Sequence, residues 1–193
     1  MADTGRSFLT IVSGLPRSGT SLMMKMLEAG GMPVLVDNVR EADVDNPRGY
    51  YEFEPVKQTK ADAGWVADAA GKAVKMVYLL LLDLPPDYDY RVIFMRRTLD
   101  EVLASQKAML ERLGKSSPLD DARMAALFRD QLARFDAWVV TRPNFALLDV
   151  SYNAMVTDPA PLARQVDQFL GGGLDVDAMT RVVDPSLYRN RSS

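Results

Sequence analysis

The 193-residue chain contains no cysteine and no histidine. The first absence removes disulfides, zinc–thiolate sites, iron–sulfur clusters and cysteine nucleophiles. The second removes every histidine-based triad, every histidine-ligated metal and the commonest general base, so acid–base chemistry falls to Asp, Glu, Lys or Tyr. A large excess of either charge is also missing. The net charge of -3 and the pI near 5.1 argue against a surface that grips nucleic acid, while leaving room for a local basic pocket. Long apolar runs are absent too. The stretch 8–12 is too short for a secretory h-region, and the longest run, 76–82, closed by Lys75 and Asp83, falls far below the roughly 18 residues of a spanning helix. The chain therefore reads as a cytoplasmic protein, monomer or homodimer, whose partner is a small molecule rather than nucleic acid or a membrane.

What is present is the composition of one globular domain, 48% apolar and 25% charged. Short β-type runs alternate with helical ones, which predicts an α/β fold in three layers, a central parallel sheet flanked by helices, over residues 1–193. Strands are expected over 8–13, 73–82, 91–95 and 145–150, the middle two apolar enough to be buried on both faces. Helices are expected after Ser18 and Gly19, from Thr98 with Glu101 in the capping-box position, over 119–140, and over 161–170, stopped by Gly171, Gly172 and Gly173. Residues 32–62 differ from the rest. They mix Pro33, Pro47, Gly49 and Pro55 with Asp37, Glu41, Asp43, Asp45, Glu52, Glu54 and Asp62, and read as an irregular excursion that builds a substrate site.

The most informative segment is GLPRSGTS, residues 14–21, between an apolar strand and an amphipathic helix. Glycines let the backbone wrap around an anion, and the N–H groups opening the helix point at it with the positive end of the helix dipole. The pattern is close to a Walker A loop, GxxxxGK[ST], but Thr20 stands where the phosphate-binding lysine belongs and the cation has moved to Arg17. The competing reading is a plain glycine turn.

GLPRSGTS after a strand resembles the 5′-phosphosulfate loop of the sulfotransferase family, small bacterial members included. The donor in that family is 3′-phosphoadenosine 5′-phosphosulfate (PAPS), the product 3′-phosphoadenosine 5′-phosphate (PAP), and no metal is needed. The resemblance implies that Pro16, Arg17, Ser18, Gly19, Thr20 and Ser21 hold the 5′-phosphate and the transferring sulfonate. It also implies that an arginine at a strand end and a serine eight residues on grip the 3′-phosphate, here Arg97 and Ser105 in RVIFMRRTLDEVLAS, with Arg96 as a spare cation. Lys75, in a stretch similar to the family's Lys-Thr-His triplet, would touch the reacting sulfonate, whereas Val77 stands in the place of the histidine base. Tyr152 would lie near the adenine, as in the family's tyrosine-centred stretch ending in Phe-Leu-Gly, here Phe169-Leu170-Gly171.

The chain departs from the family in Leu22, where the cytosolic branch has tryptophan, and in lacking the late Arg-Lys-Gly segment, for which only Arg189 and Arg191 could substitute. Without histidine, the base is expected to be a carboxylate. Asp37 follows Arg17 by twenty residues and precedes Arg40 by three, an arrangement similar to the tyrosylprotein branch. Glu52 and Glu54, in NPRGYYEFE, compete with it. The expected activity is transfer of a sulfonate from PAPS to a hydroxyl or amine of a small acceptor. A P-loop nucleoside or small-molecule kinase and a non-catalytic PAP-binding module are the alternatives.

Overall fold

In the computed structural model, residues 7–37 and 50–184 are described. Strand β1 (Leu9–Gly14) is followed by helix α1 (Thr20–Ala29), and the next strand, β2, spans only Ala73–Lys75. Then come β3 (Tyr90–Arg96), α2 (Leu99–Arg112), α3 (Asp121–Val139), β4 (Phe145–Ser151), α4 (Tyr152–Thr157), α5 (Pro159–Phe169) and α6 (Val176–Arg181). Short 3-10 segments cover Glu54–Gln58, Gly64–Asp68 and Tyr78–Asp83. The four strands form one parallel sheet in the order β2-β1-β3-β4.

The alternation of side chains along each strand builds two cores, one on each face of the sheet. Ile11, Val74, Val92 and Phe94 face α2 and α3, meeting Val102, Phe128, Phe135 and Val139. Val12, Ile93 and Met95 face the other way, onto Met23, Met24, Met26 and Leu27 of α1 and onto Met155, Val166 and Met179. Both inner strands therefore bury apolar side chains on both faces, with Thr10 and Ser13 of β1 buried among them, as a sheet covered on both faces requires. The protein is an α/β sandwich of three layers. None of the described helices is long and apolar enough to cross a membrane.

Chain reversal at β1 positions the site. From β1 the chain crosses to β2 on one side, then returns past β1 to β3 on the other. The crevice at the carboxyl ends of β1 and β3 is the topological switch point where open α/β sheets bind ligands. Residues 14–19 leave the sheet there.

Three expectations need correction. The run 73–82 is not one buried strand: β2 stops at Lys75 and the chain turns into the 3-10 segment Tyr78–Asp83. β1 pairs with β2 only through Thr10–Ala73, Ile11–Val74 and Val12–Lys75, although β1 itself continues to Gly14 beside β3. Beyond Lys75 the Met76 carbonyl accepts from the Ser13 hydroxyl at 2.8 Å instead of from a ladder N–H, and the chain turns away from the sheet. Tyr78 and Leu81 turn into the core, while Val77, Leu79 and Leu82 remain 47%, 50% and 48% exposed. Second, Thr98 precedes α2 but makes no side-chain cap, and the Glu101 carboxylate accepts from Arg97 rather than closing a capping box. Third, α4 and α6 were not legible from periodicity. Each is six residues long and is opened by a side-chain cap, Ser151 for α4 and Asp175 for α6.

Candidate functional site

The loop between β1 and α1 owes its shape to three residues with positive φ. Gly14 has φ +147°, and a Cβ there would sit 2.6 Å from Ser18 Oγ and 2.7 Å from the Met95 carbonyl oxygen of β3. Arg17 has φ +68°, unusual for a residue with a side chain. Gly19, at φ +97°, is the residue before α1 and offers no side chain to cap it. The helix thus begins without a side-chain cap from its N-cap residue, with the positive end of its dipole in the crevice described above. Ser18 is 1% exposed, and its hydroxyl has no hydrogen-bond partner among the described residues. A buried unsatisfied hydroxyl costs about 1–3 kcal/mol, which an anion seated in the loop would recover. The loop therefore fits a phosphate or sulfonate group. Pro16 is exposed, and Thr20 and Ser21 open α1 at the mouth.

Cations converge on this loop from three segments. Arg17 reaches α2, its Nε donating to Ser105 Oγ at 2.9 Å. Arg97, at the end of β3, turns inward until its side chain is only 7% exposed, and its Nη1 donates to the carbonyl of Arg17 at 3.0 Å. Lys75, the last residue of β2, donates to the Tyr50 carbonyl and to Ser21 Oγ, the latter at 3.4 Å. Ser21 in turn donates to the same carbonyl at 3.2 Å. Arg17, Ser18, Gly19, Ser21, Lys75, Arg97 and Ser105, scattered over ninety residues of sequence, are thus joined at the carboxyl ends of three adjacent strands.

Other expected residues take different places. Arg96 points away from the loop. It pairs with Asp136 of α3 and Asp149 of β4, so it fastens α3 to the sheet rather than serving as a spare cation. Burial pulls its guanidinium down, but those two carboxylates outweigh burial and raise it above the usual arginine range. Tyr152 is buried beneath the loop: a Cβ on Gly19 would lie 2.3 Å from its ring, and the Arg97 guanidinium stacks on it at 4.5 Å. Burial raises its phenol above the usual tyrosine range, so it stays protonated at neutral pH. Tyr152 is a wedge under the loop as much as a neighbour of any base.

The two carboxylate candidates lie on neighbouring segments and have different partners. The Asp37 backbone N–H donates to the Glu52 carbonyl at 3.1 Å, and Asp37 Oδ2 accepts the Glu54 N–H. That carboxylate caps the turn into the 3-10 segment Glu54–Gln58. Glu52 keeps its side chain 20% exposed, with Lys57 Nζ at 3.4 Å, and Glu54 pairs with the same lysine. Arg40, Arg189 and Arg191 lie outside the described residues.

Two participants escaped the sequence reading. Glu101 is 3% exposed, and its carboxylate accepts from Arg97 Nε at 3.0 Å and from Asn153 Nδ2 at 3.0 and 3.1 Å. The spacing of four between Arg97 and Glu101 was a usable signal for the first of these contacts. Nothing local signals Asn153, which approaches from α4.

No family model and no curated protein matches the sequence. Solved structures do match the fold. The chain is similar to the sulfotransferase domain from the curacin biosynthetic pathway, at 14% identity and TM-score 0.54 over 92% of this chain and 78% of that one. It is similar to the sulfotransferase domain of the Synechococcus PCC 7002 olefin synthase, at 15% identity and TM-score 0.56 over 96% of this chain and 88% of that one. It is also similar to a mouse sulfotransferase complexed with PAP, at 15% identity and TM-score 0.53 over 92% of this chain and 63% of that one. At such identities the likeness is one of backbone path, and by that path the chain has the fold of the sulfotransferases.

Proposed function

We propose that the protein transfers a sulfonate from PAPS to a hydroxyl or amine of a small, partly apolar acceptor by in-line displacement. The observation that carries this reading is the convergence of Arg17, Lys75, Arg97 and Ser105 on a side-chain-uncapped helix start at the switch point of a parallel sheet. A Walker-type kinase is less well supported, because Thr20 occupies the position of the lysine that such enzymes use on their phosphates.

PAPS, when bound, supplies a sulfonate activated by its bond to the 5′-phosphate. The N–H groups at the start of α1, with Ser18, Thr20 and Ser21, hold the 5′-phosphate, and Arg97 and Ser105 take the 3′-phosphate. Arg17 and Lys75 neutralise the negative charge that grows on the bridging oxygen as the bond from sulfur to the 5′-phosphate breaks. The acceptor oxygen or nitrogen forms the new bond to sulfur, its proton passes to a carboxylate, and PAP leaves. Val77, Leu79 and Leu82, following Lys75 and about half exposed, support an acceptor with an apolar body.

We assign the proton to Glu52, whose carboxylate is 20% exposed with Lys57 Nζ at 3.4 Å, whereas the Asp37 carboxylate holds the Glu54 backbone N–H that opens a 3-10 turn. With an alkyl alcohol acceptor, which cannot ionise unaided, Glu52→Gln should lower turnover by roughly 10²-fold while PAP affinity stays near the unaltered protein's. Asp37→Asn retains an oxygen that accepts the Glu54 N–H and should keep turnover within about twofold. The opposite pattern would move the base to Asp37. Two active variants would leave neutral Lys75 as the proton acceptor.

Nucleotide preference tests the proposal as a whole. At about 100 times its Kd, PAP should stabilise the fold by about 2.7 kcal/mol without magnesium, a rise of roughly 5–10 °C in Tm. ATP under the same conditions should do much less. The reverse preference would favour a kinase, and PAP binding without turnover of labelled PAPS in a screen of phenols, alcohols, amines and sugars would leave a nucleotide-binding module.

A further inference from the structure

By spacing alone Glu101 would be the capping partner of Thr98, but its carboxylate is buried between Arg97 and Asn153. We propose that Glu101 is a positioning residue of the nucleotide site: it fixes the Arg97 guanidinium in the orientation that reads the second phosphate of the donor and, through Arg97, holds the anion loop in shape. The inference rests on the reading of Arg97 given under Proposed function.

The geometry follows from the planarity of the guanidinium. Once Glu101 Oε2 accepts from Nε at 3.0 Å, the terminal torsion of Arg97 is set, and Nη1 lies against the Arg17 carbonyl, also at 3.0 Å. That carbonyl belongs to the loop residue with φ +68°, so the hydrogen bond holds the backbone where it departs most from ordinary conformations. Glu101 is itself oriented, since the Asn153 amide donates to both of its oxygens. Asn153 follows Tyr152, whose ring lies under both Arg97 and Gly19. One buried carboxylate thereby ties together the 14–21 loop, the junction of β3 with α2, and α4.

Fold stability alone would not call for this arrangement. A buried ion pair contributes little net stability beyond what well-packed apolar side chains of similar volume would supply. A carboxylate is needed where a cation must be oriented and partly neutralised before its ligand arrives. The Arg97–Glu101 pair is nearly neutral in sum, so Arg97 can sit buried next to the Arg17 cation with less mutual repulsion.

The test compares PAP with adenosine 5′-phosphate, which differ only by the 3′-phosphate, by calorimetric titration at fixed salt. In Glu101→Gln the negative charge is lost and one side-chain oxygen becomes an amide donor, so the ion pair to Arg97 disappears and one of the two acceptors facing the Asn153 amide is removed. This variant should lose PAP affinity by about tenfold or more relative to its loss of adenosine 5′-phosphate affinity. Asn153→Ala, which leaves the ion pair intact and guards against a Glu101 variant that fails to fold, should show the same selective loss to a smaller degree. Adding Glu101→Gln to Arg97→Ala should cause no further loss of discrimination, because Glu101 acts through Arg97. Equal losses for both nucleotides, or additive losses in the double variant, would overturn the positioning role and leave Glu101 as a structural ion pair. If Arg97→Ala alone keeps full discrimination for PAP, the reading of Arg97 falls first and the role of Glu101 with it.

Discussion

Arg17→Ala is expected to lower sulfonate transfer by roughly 10²–10³-fold, the usual cost of removing a preorganised group that stabilises charge on a leaving oxygen. Stability should change far less. The variant loses, among its contacts, the hydrogen bond from Arg17 Nε to Ser105 Oγ, a bond of this kind being worth about 1 kcal/mol. The companion variant Arg17→Gly separates the two effects. At φ +68° a side chain costs about 1–2 kcal/mol that glycine does not pay, so Arg17→Gly should be more stable than Arg17→Ala and equally inactive. Turnover of labelled PAPS beside urea denaturation of both variants provides the check. Activity that tracks stability across the pair would make Arg17 a structural residue, and normal turnover in either would remove it from the site.

The second large effect is expected at Gly19. At φ +97° any side chain is strained, and the new methyl of Gly19→Ala would be placed 2.3 Å from Cδ2 of Tyr152. The ring has little room to retreat, since it is buried and the Arg97 guanidinium lies 4.5 Å from its centroid. Strain and overpacking together should destabilise the protein by about 2–4 kcal/mol. Binding should fail as well, because the start of α1 moves relative to Arg17 and Arg97. Trimming the ring in a Gly19→Ala, Tyr152→Ala double variant relieves the clash but not the strained φ, so stability should recover in part while PAP binding does not. A loss below about 0.5 kcal/mol in the single variant, the range of an ordinary surface substitution, would mean that the loop does not have this geometry.

Both effects concern a segment that the sequence describes well, and the reason is locality. The conformation of residues 14–21 depends on glycines at two fixed points, on the strand before them and on the helix after them, all within about twenty residues. Turn chemistry and helix initiation are decided by near neighbours, so the loop, its uncapped helix start and the alternation of strands with helices around it could be read before any tertiary contact was known. The same holds for the absence of histidine, which limits the choice of proton acceptor.

Contacts between distant segments were decided by the order of strands in the sheet. That order, β2-β1-β3-β4, brings the ends of all four strands side by side and so joins Arg17 to Ser105, Lys75 to Ser21 and Glu101 to Asn153, pairs separated by 88, 54 and 52 residues. β2 ends at Lys75, where the Ser13 hydroxyl takes the Met76 carbonyl, and the 3-10 turn that follows exposes apolar side chains that a purely periodic reading would bury. Residue types and spacings along the chain specified a phosphate loop and the cations able to serve it. Which carboxylate would be held by a backbone N–H, which arginine would turn inward and which would fasten a helix depended on neighbours from other parts of the chain. Hydrogen bonds and ion pairs form between atoms that meet in space, and here the meeting is arranged by the sheet.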